Sequence, residues 1–357
     1  MAGTTGPKTL IGVLASHDDE AKNVALKEIF ENAAADPEQE SLLQEHFRFV
    51  FTGGTYHRLF EGAPVKGALP SDSPPYLLSA KTQEFVRQCG VVVLPPTVEG
   101  GVTILASLIT QHKLSVIWPF LTPLTTHLYT PENQALLRLG DQWRAKRMMN
   151  SGSVYEWIKT EAYRDRNLNK QDMPLKLNLR GSGISRIAKL NESKTYTLTL
   201  EREGFPDLKS ATLNHDWSEV VIALISHDDM KSRMMDFVID YERELRGFRR
   251  ILATGTTGRL IEEAAPSLAE PRGEQSMGQR LVYRYHSGPK GGDIEIATEV
   301  LFGGCHIVIF FVDPLHPHPH ADDIRVVFGA CMIHDQVRML SNESQARSWM
   351  NRVVRGT

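Results

Sequence analysis

Short β-branched runs alternate with stretches of helical spacing along much of the chain. Val220–Ile225 is apolar without interruption and reads as a buried strand. In the next stretch, Asp228–Leu245, the apolar residues Met234, Met235, Val238 and Ile239 recur at i, i+1, i+4 and i+5, the spacing of a helix with one buried face. Phe248–Ala253 predicts a second strand and Thr257–Ala265 a second helix. Asp293–Phe302 predicts a third helix and His306–Val312 a third strand. Uninterrupted apolar strands separated by helices predict a parallel sheet covered on both faces. Ligands bind open sheets of this kind at the carboxyl ends of the strands.

The pattern occurs twice. Ile11-Gly-Val-Leu-Ala-Ser-His-Asp-Asp19 returns as Val221-Ile-Ala-Leu-Ile-Ser-His-Asp-Asp229, and Phe51-Thr-Gly-Gly-Thr55 as Ala253-Thr-Gly-Thr-Thr257. Gly100-Gly101 precedes Phe120-Leu-Thr-Pro-Leu124 by the interval that separates Gly291-Gly292 from Phe311-Val-Asp-Pro-Leu315. Blocks repeated in one order indicate duplication. The expected fold is therefore a tandem pair of doubly wound, three-layer α/β/α domains with parallel sheets. Residues 1–160 would form one copy and 217–357 the other. The polar segment 161–216 between them reads as a structured linker, with Lys194–Glu201 as one strand of a small hairpin.

Composition narrows the function classes. The 357 residues suit two domains, and 41% hydrophobic with 23% charged residues describes a soluble globular chain rather than a disordered or fibrous one. The net charge of −3 is spread along the chain, which argues against nucleic acid or an anionic membrane as partner. The longest apolar run, around Ile307–Val312, is strand-sized. Thr9–Ala15 leads into His17-Asp18-Asp19 without a small-residue cleavage site, so a secretory leader is not expected. Cys89, Cys305 and Cys331 are odd in number and far apart, a pattern that favours neither disulfides nor thiolate zinc and fits a reducing cytoplasm.

Polar residues collect where the strands of the second copy end. Ser226-His227-Asp228 follows the first strand, with Lys231 one turn on, and Thr254-Gly-Thr-Thr-Gly258 follows the second. Ser287-Gly-Pro-Lys-Gly-Gly-Asp293 opens a helix. Asp313 ends the third strand, ahead of His316, His318, His320 and Asp323. Glycine turns at helix starts leave free amides that suit a phosphate, although such turns also simply cap helices. Asp293 reads either as a helix cap or as a general base, and the pattern alone favours the cap. His227 fits a structural role as well as a functional one. The Pro-flanked histidines favour a surface loop over metal ligation, so no metal site is expected.

These blocks, from Ser226-His-Asp-x-x-Lys231 through Ala253-Thr-Gly-Thr-Thr-Gly258, Ser287–Asp293 and Ile309–Leu315 to His320-x-x-Asp323, closely resemble the methylglyoxal synthase family over nearly all of residues 218–357. The resemblance implies conversion of dihydroxyacetone phosphate to methylglyoxal and inorganic phosphate, without metal or organic cofactor. It implies that Asp293 is the base. It implies further that His320, neutral, binds the substrate oxygens and shuttles a proton while His227 binds the same end. Lys231, Thr254, Gly255, Thr256, Thr257, Ser287 and Gly288 would hold the phosphate, and Asp228, Asp313 and Asp323 would orient these groups. Two departures stand out: a longer insert at 269–285, which would lie over the cleft, and Gly329 where the family usually has arginine.

The first copy resembles the same family in degraded form. Val102 replaces the base, Thr122 the aspartate before proline and Tyr129 the histidine, while Glu132 stands for the last aspartate and Arg138 retains the family's arginine. Such a copy is expected to be noncatalytic. Because the family forms rings of six domains, a homo-oligomer is expected, and three tandem chains would complete a pseudo-hexamer. The alternative reading is a noncatalytic sensor of a phosphate or nucleotide metabolite built on the same domain.

Overall fold

A computed structural model describes residues 6–65, 74–121, 130–200, 216–270, 280–313, 321–333 and 336–356. Thr122, Tyr129, His316, His318 and His320 lie outside the described residues.

The chain divides into two compact units, one of Met1–Leu177 with Arg186–Thr199 and one of Asn178–Ser185 with Leu200–Thr357. The strands of the first are β1 (Thr9–Leu14), β2 (Phe47–Thr52), β3 (Val91–Leu94), β4 (Val116–Pro119) and β5 (Lys146–Arg147). A hairpin, β6 (Lys176–Leu179) with β7 (Ile184–Ile187), precedes the short strands β8 (Lys189–Leu190) and β9 (Tyr196–Thr197). The first sheet runs β5-β4-β1-β2-β3-β9-β8, parallel except for the final β8–β9 pair. The second contains β10 (Val221–Ser226), β11 (Arg250–Ala253), β12 (Val282–Arg284), β13 (Ile307–Phe311) and β14 (Arg338–Leu340). Its order is β12-β11-β10-β13-β14, all parallel.

Both sheets therefore have the same five-strand core order, with the first strand of the unit at the centre. Every residue of β1, β2, β10 and β13 is buried, which the apolar runs of β1, β10 and β13 require and which in β2 includes Arg48 and Thr52. Helices Gly101–Thr110 and Gly292–Leu301 are buried along their whole length. In the second of these the burial includes Asp293, Glu295 and Glu299. Among the described residues no helix is long and apolar enough to cross a membrane. The three cysteines are buried and free, and burial pushes the Cys331 thiol up to about 12.

Three expectations differ from the structure. The helix predicted over Asp228–Leu245 is a 3-10 turn, Asp228–Met230, then helices Lys231–Asp240 and Glu242–Leu245, interrupted at Tyr241. Tyr241 is buried and its hydroxyl donates to Asn351 Oδ1 at 2.9 Å, a tertiary bond outside any local pattern. The insert at 269–285 includes the edge strand β12, paired with β11. Most of the segment read as a linker packs as structure of the first unit. Thr9 Oγ1 donates to Leu168 O at 2.9 Å, Arg48 Nη1 to Gln171 O at 2.9 Å and Trp157 Nε1 to Asp165 Oδ2 at 2.7 Å. Buried Ala162, Leu175, Leu177, Ala188 and Leu198 anchor this part of the segment together with these polar bonds. The strand expected at Lys194–Glu201 is only Tyr196–Thr197, pairing parallel with β3 and antiparallel with β8.

Candidate active site

The strand order reverses at β10, which has β11 on one side and β13 on the other. The crevice above such a switch point lies at the carboxyl ends of β10 and β13. His227 follows β10 directly and is buried. Its N–H donates to Phe311 O at 3.1 Å, and its Nδ1 accepts from the Asp313 N–H at 2.8 Å. An Nδ1 that accepts cannot carry a proton, so the imidazole is neutral with its hydrogen on Nε2. The ring stands edge-on to Phe310, centroids 5.3 Å apart. One bond thus fixes the tautomer of His227 and seats Asp313 beside it.

The phosphate-type turns meet at a backbone node. Gly255 N–H donates to His286 O at 2.9 Å, and Gly292 N–H donates to Ser287 O at 3.1 Å. The fit is tight: a Cβ on Gly255 would lie 3.0 Å from Tyr285 O, and one on Gly292 only 1.9 Å from His286 O. Only glycine lets the start of helix Gly292–Leu301 press against that carbonyl. Thr254 Oγ1 donates to Thr257 Oγ1 at 3.2 Å, which lies 3.4 Å from Ser226 Oγ; all three side chains belong to buried residues. Helix Gly255–Ala264 has no side-chain cap, and Ser287 leads into the 3-10 turn Gly288–Lys290. Thr254, Gly255, Thr257, Ser287 and Gly288 are thus drawn together, with Thr256 in the first turn of the same helix.

The acids separate into two environments. Asp293 and Asp323 are fully buried. The N-cap position expected for Asp293 is taken instead by Gly291, in the left-handed region at φ 98°, which has no side chain to cap with. Asp293 lies two residues inside, a buried carboxyl. The Asp228 side chain is 89% exposed and pairs with Lys231. His320 lies outside the described residues.

Sequence reasoning missed a second set of residues. Glu295 Oε2 accepts from the His286 N–H at 3.1 Å and pairs with His286 Nδ1 at 2.9 Å. The Glu295 bond holds the His286 pKa above its ordinary value, against burial. This pair fastens the Ser287 turn to the helix that carries Asp293. One turn further on, Glu299 accepts from the Gly181 and Ser182 amides at 2.9 and 3.1 Å, from Ser182 Oγ at 2.6 Å and from the Tyr285 hydroxyl. Burial raises the Glu299 pKa. The available signal was the i, i+2, i+6 spacing of three acids on an otherwise apolar helix.

No family profile matches the chain. It is 38% identical over 125 residues to methylglyoxal synthase of Brucella ovis, a match covering 35% of this chain and 89% of that protein. Methylglyoxal synthase of Agrobacterium fabrum is 37% identical over 127 residues, covering 36% and 89%. Among solved structures, methylglyoxal synthase from Elizabethkingia anophelis matches at 30% identity and a TM-score of 0.30, over 37% of this chain and 76% of that one.

Proposed function

The chain belongs to the methylglyoxal synthase family, and from that premise we propose that its second unit converts dihydroxyacetone phosphate to methylglyoxal and inorganic phosphate. Asp293 takes the proton from the hydroxymethyl carbon. The Nε2–H of His227, together with His320, donates to the two substrate oxygens as the enediolate forms, and His320 moves a proton between them. A carbon acid beside a ketone needs this pairing of a placed base with donors on the developing oxyanion. Amides and hydroxyls of Thr254, Thr256, Thr257, Ser287 and Gly288 hold the phosphate at the turn that Gly255 seats through its own N–H bond to His286 O, with Lys231 as countercharge. Asp313 and Asp323 orient the groups around them, and Asp228 orients Lys231.

The electron pair released at carbon then expels phosphate across the bridging C–O bond, and the enol left behind tautomerises to methylglyoxal. Expulsion requires that bond to stand perpendicular to the enediolate plane, so the phosphate grip selects elimination over isomerisation. The observation that carries the reading is the backbone node. It ties the helix of the buried Asp293 to the Ser287 and Gly255 turns through two backbone hydrogen bonds of 3.1 and 2.9 Å. A base and a phosphate cradle sharing such a node keep their spacing during turnover.

The test is release of methylglyoxal and phosphate from dihydroxyacetone phosphate by the wild type and by Asp293→Asn. Activity in the first and a loss of roughly 10³-fold in the second supports the proposal. A folded wild type that releases neither product overturns it.

A further inference from the structure

The backbone node has a counterpart in the first unit. Gly53 N–H donates to Pro95 O at 3.3 Å, and Gly101 N–H to Pro96 O at 3.1 Å. A Cβ on Gly101 would lie 2.0 Å from Pro95 O. A cavity of about 140 Å³ opens beside this node, and His17, Thr52, Gly54, Arg58, Thr97 and Val102 are among its lining residues. Val102 stands where the second unit has Asp293. Pro96, with neither N–H nor hydroxyl, stands where it has Ser287. The site has thus lost its base and part of its anion donors.

It has gained a cation. Arg58 occupies the position held by Leu260 in the second unit, and it is only 9% exposed. Its Nη2 donates to His17 Nδ1 at 2.8 Å, while its buried Nε has no hydrogen-bond partner. The guanidinium folds back over the start of its own helix, Gly53–Glu61, where a Cβ on Gly54 would lie 3.6 Å from Nη1. Thr52 makes no side-chain cap there. Among the described residues no carboxylate forms an ion pair with Arg58. Burial lowers its pKa, opposed by the more distant charges of Tyr76 and Asp18. A buried guanidinium with an unmet N–H, set beside uncapped helix amides in a small cavity, is a costly arrangement that an anion relieves.

We infer that this cavity binds the phosphoryl group of inorganic phosphate or of a small phosphate ester and holds it without turnover. Arg58 and the helix amides that follow Gly53, from Gly54 on, grip the oxygens, and Val102, unlike Asp293, cannot take a proton. The inference rests on the first unit alone and stands whether or not the second unit turns substrate over.

Hydrogen-exchange mass spectrometry on the full chain reads the two units as separate peptides. Millimolar inorganic phosphate should slow exchange several-fold across Gly53–Glu61. Arg58→Met should abolish that protection while leaving any protection at Thr254–Gly258 intact. Val102→Asp retains Arg58 and places a competing carboxylate in the cavity, so it should abolish the same protection even if Arg58→Met fails to fold. Glycerol 3-phosphate is the second probe: protection at lower concentration than inorganic phosphate assigns the site to an ester, and the reverse order assigns it to the free ion. Absence of protection in the wild type with both probes, or protection that survives Val102→Asp, overturns the inference.

Discussion

At the start of helix Gly292–Leu301 the second unit leaves 1.9 Å between a would-be Cβ of Gly292 and the carbonyl of His286. The first unit leaves 2.0 Å between Gly101 and Pro95. The backbone hydrogen bonds at the two nodes correspond one for one, and both units run the same five-strand order. The side chains set on these matching frames differ. Asp293, Ser287, His286 and Glu295 in the second unit correspond to Val102, Pro96, Pro95 and Ile104 in the first, while Arg58 corresponds to Leu260. The comparison teaches that the frame is kept by backbone geometry and that chemistry is decided by a few residues placed on it.

The largest effect that would sharpen this contrast is chemical. Asp293→Val, which gives the second unit the first unit's residue, should remove methylglyoxal formation as fully as Asp293→Asn does, about 10³-fold or more, with the urea midpoint nearly unchanged. Retained activity would separate the base from Asp293.

Next comes the frame itself. Gly292→Ala and Gly101→Ala each push a methyl into a backbone carbonyl and should each cost about 3 kcal/mol in urea unfolding. The proposed roles divide the pair: the first should also abolish activity, while the second should leave kcat in place. Equal loss of kcat in both would break the distinction between the units.

Glu299→Ala should cost on the order of 3 kcal/mol, since it strands the amides of Gly181 and Ser182 and the Tyr285 hydroxyl. Glu299→Gln, which keeps an acceptor, should recover part of that loss in thermal unfolding.

The smallest effect is a pH dependence. The His286 pKa is raised by its bond to Glu295, so the folded state holds that proton more tightly than the unfolded chain. The resulting stabilisation is complete below the unfolded value of about 6.5 and fades as pH rises through the higher folded value. Because the His286 side chain is 37% exposed, solvent screens the pair and the effect is modest. Thermal melts of His286→Gln should show a flatter pH profile than the wild type across this window, and an unchanged profile would remove the pair from the account.

The central strands were legible because a strand buried on both faces must be apolar throughout, and β1, β10 and β13 are. The edge strands β12 and β14 were not. An edge strand has one neighbour and carries arginines and tyrosine, so its sequence does not differ from a loop. Asp293 was visible as a candidate acid, but the N-cap position a local reading gives it belongs to Gly291, in a left-handed conformation. Arg58 went unnoticed because an arginine in a helix is ordinarily solvated. Nothing local says that this one is covered on nearly every side.

The sequence by itself determined the repeated order of strands and glycine turns, and with it which residues stand at the strand ends. Those features are encoded in local spacing and in the burial that each run of residues demands. Only the tertiary structure decided which polar groups meet: His227 with Asp313, Glu295 with His286, Glu299 with Ser182, and Arg58 with His17. These pairings cross 9 to 117 positions of chain. They exist because packing removes water and obliges each buried donor to meet the acceptor that the fold brings near.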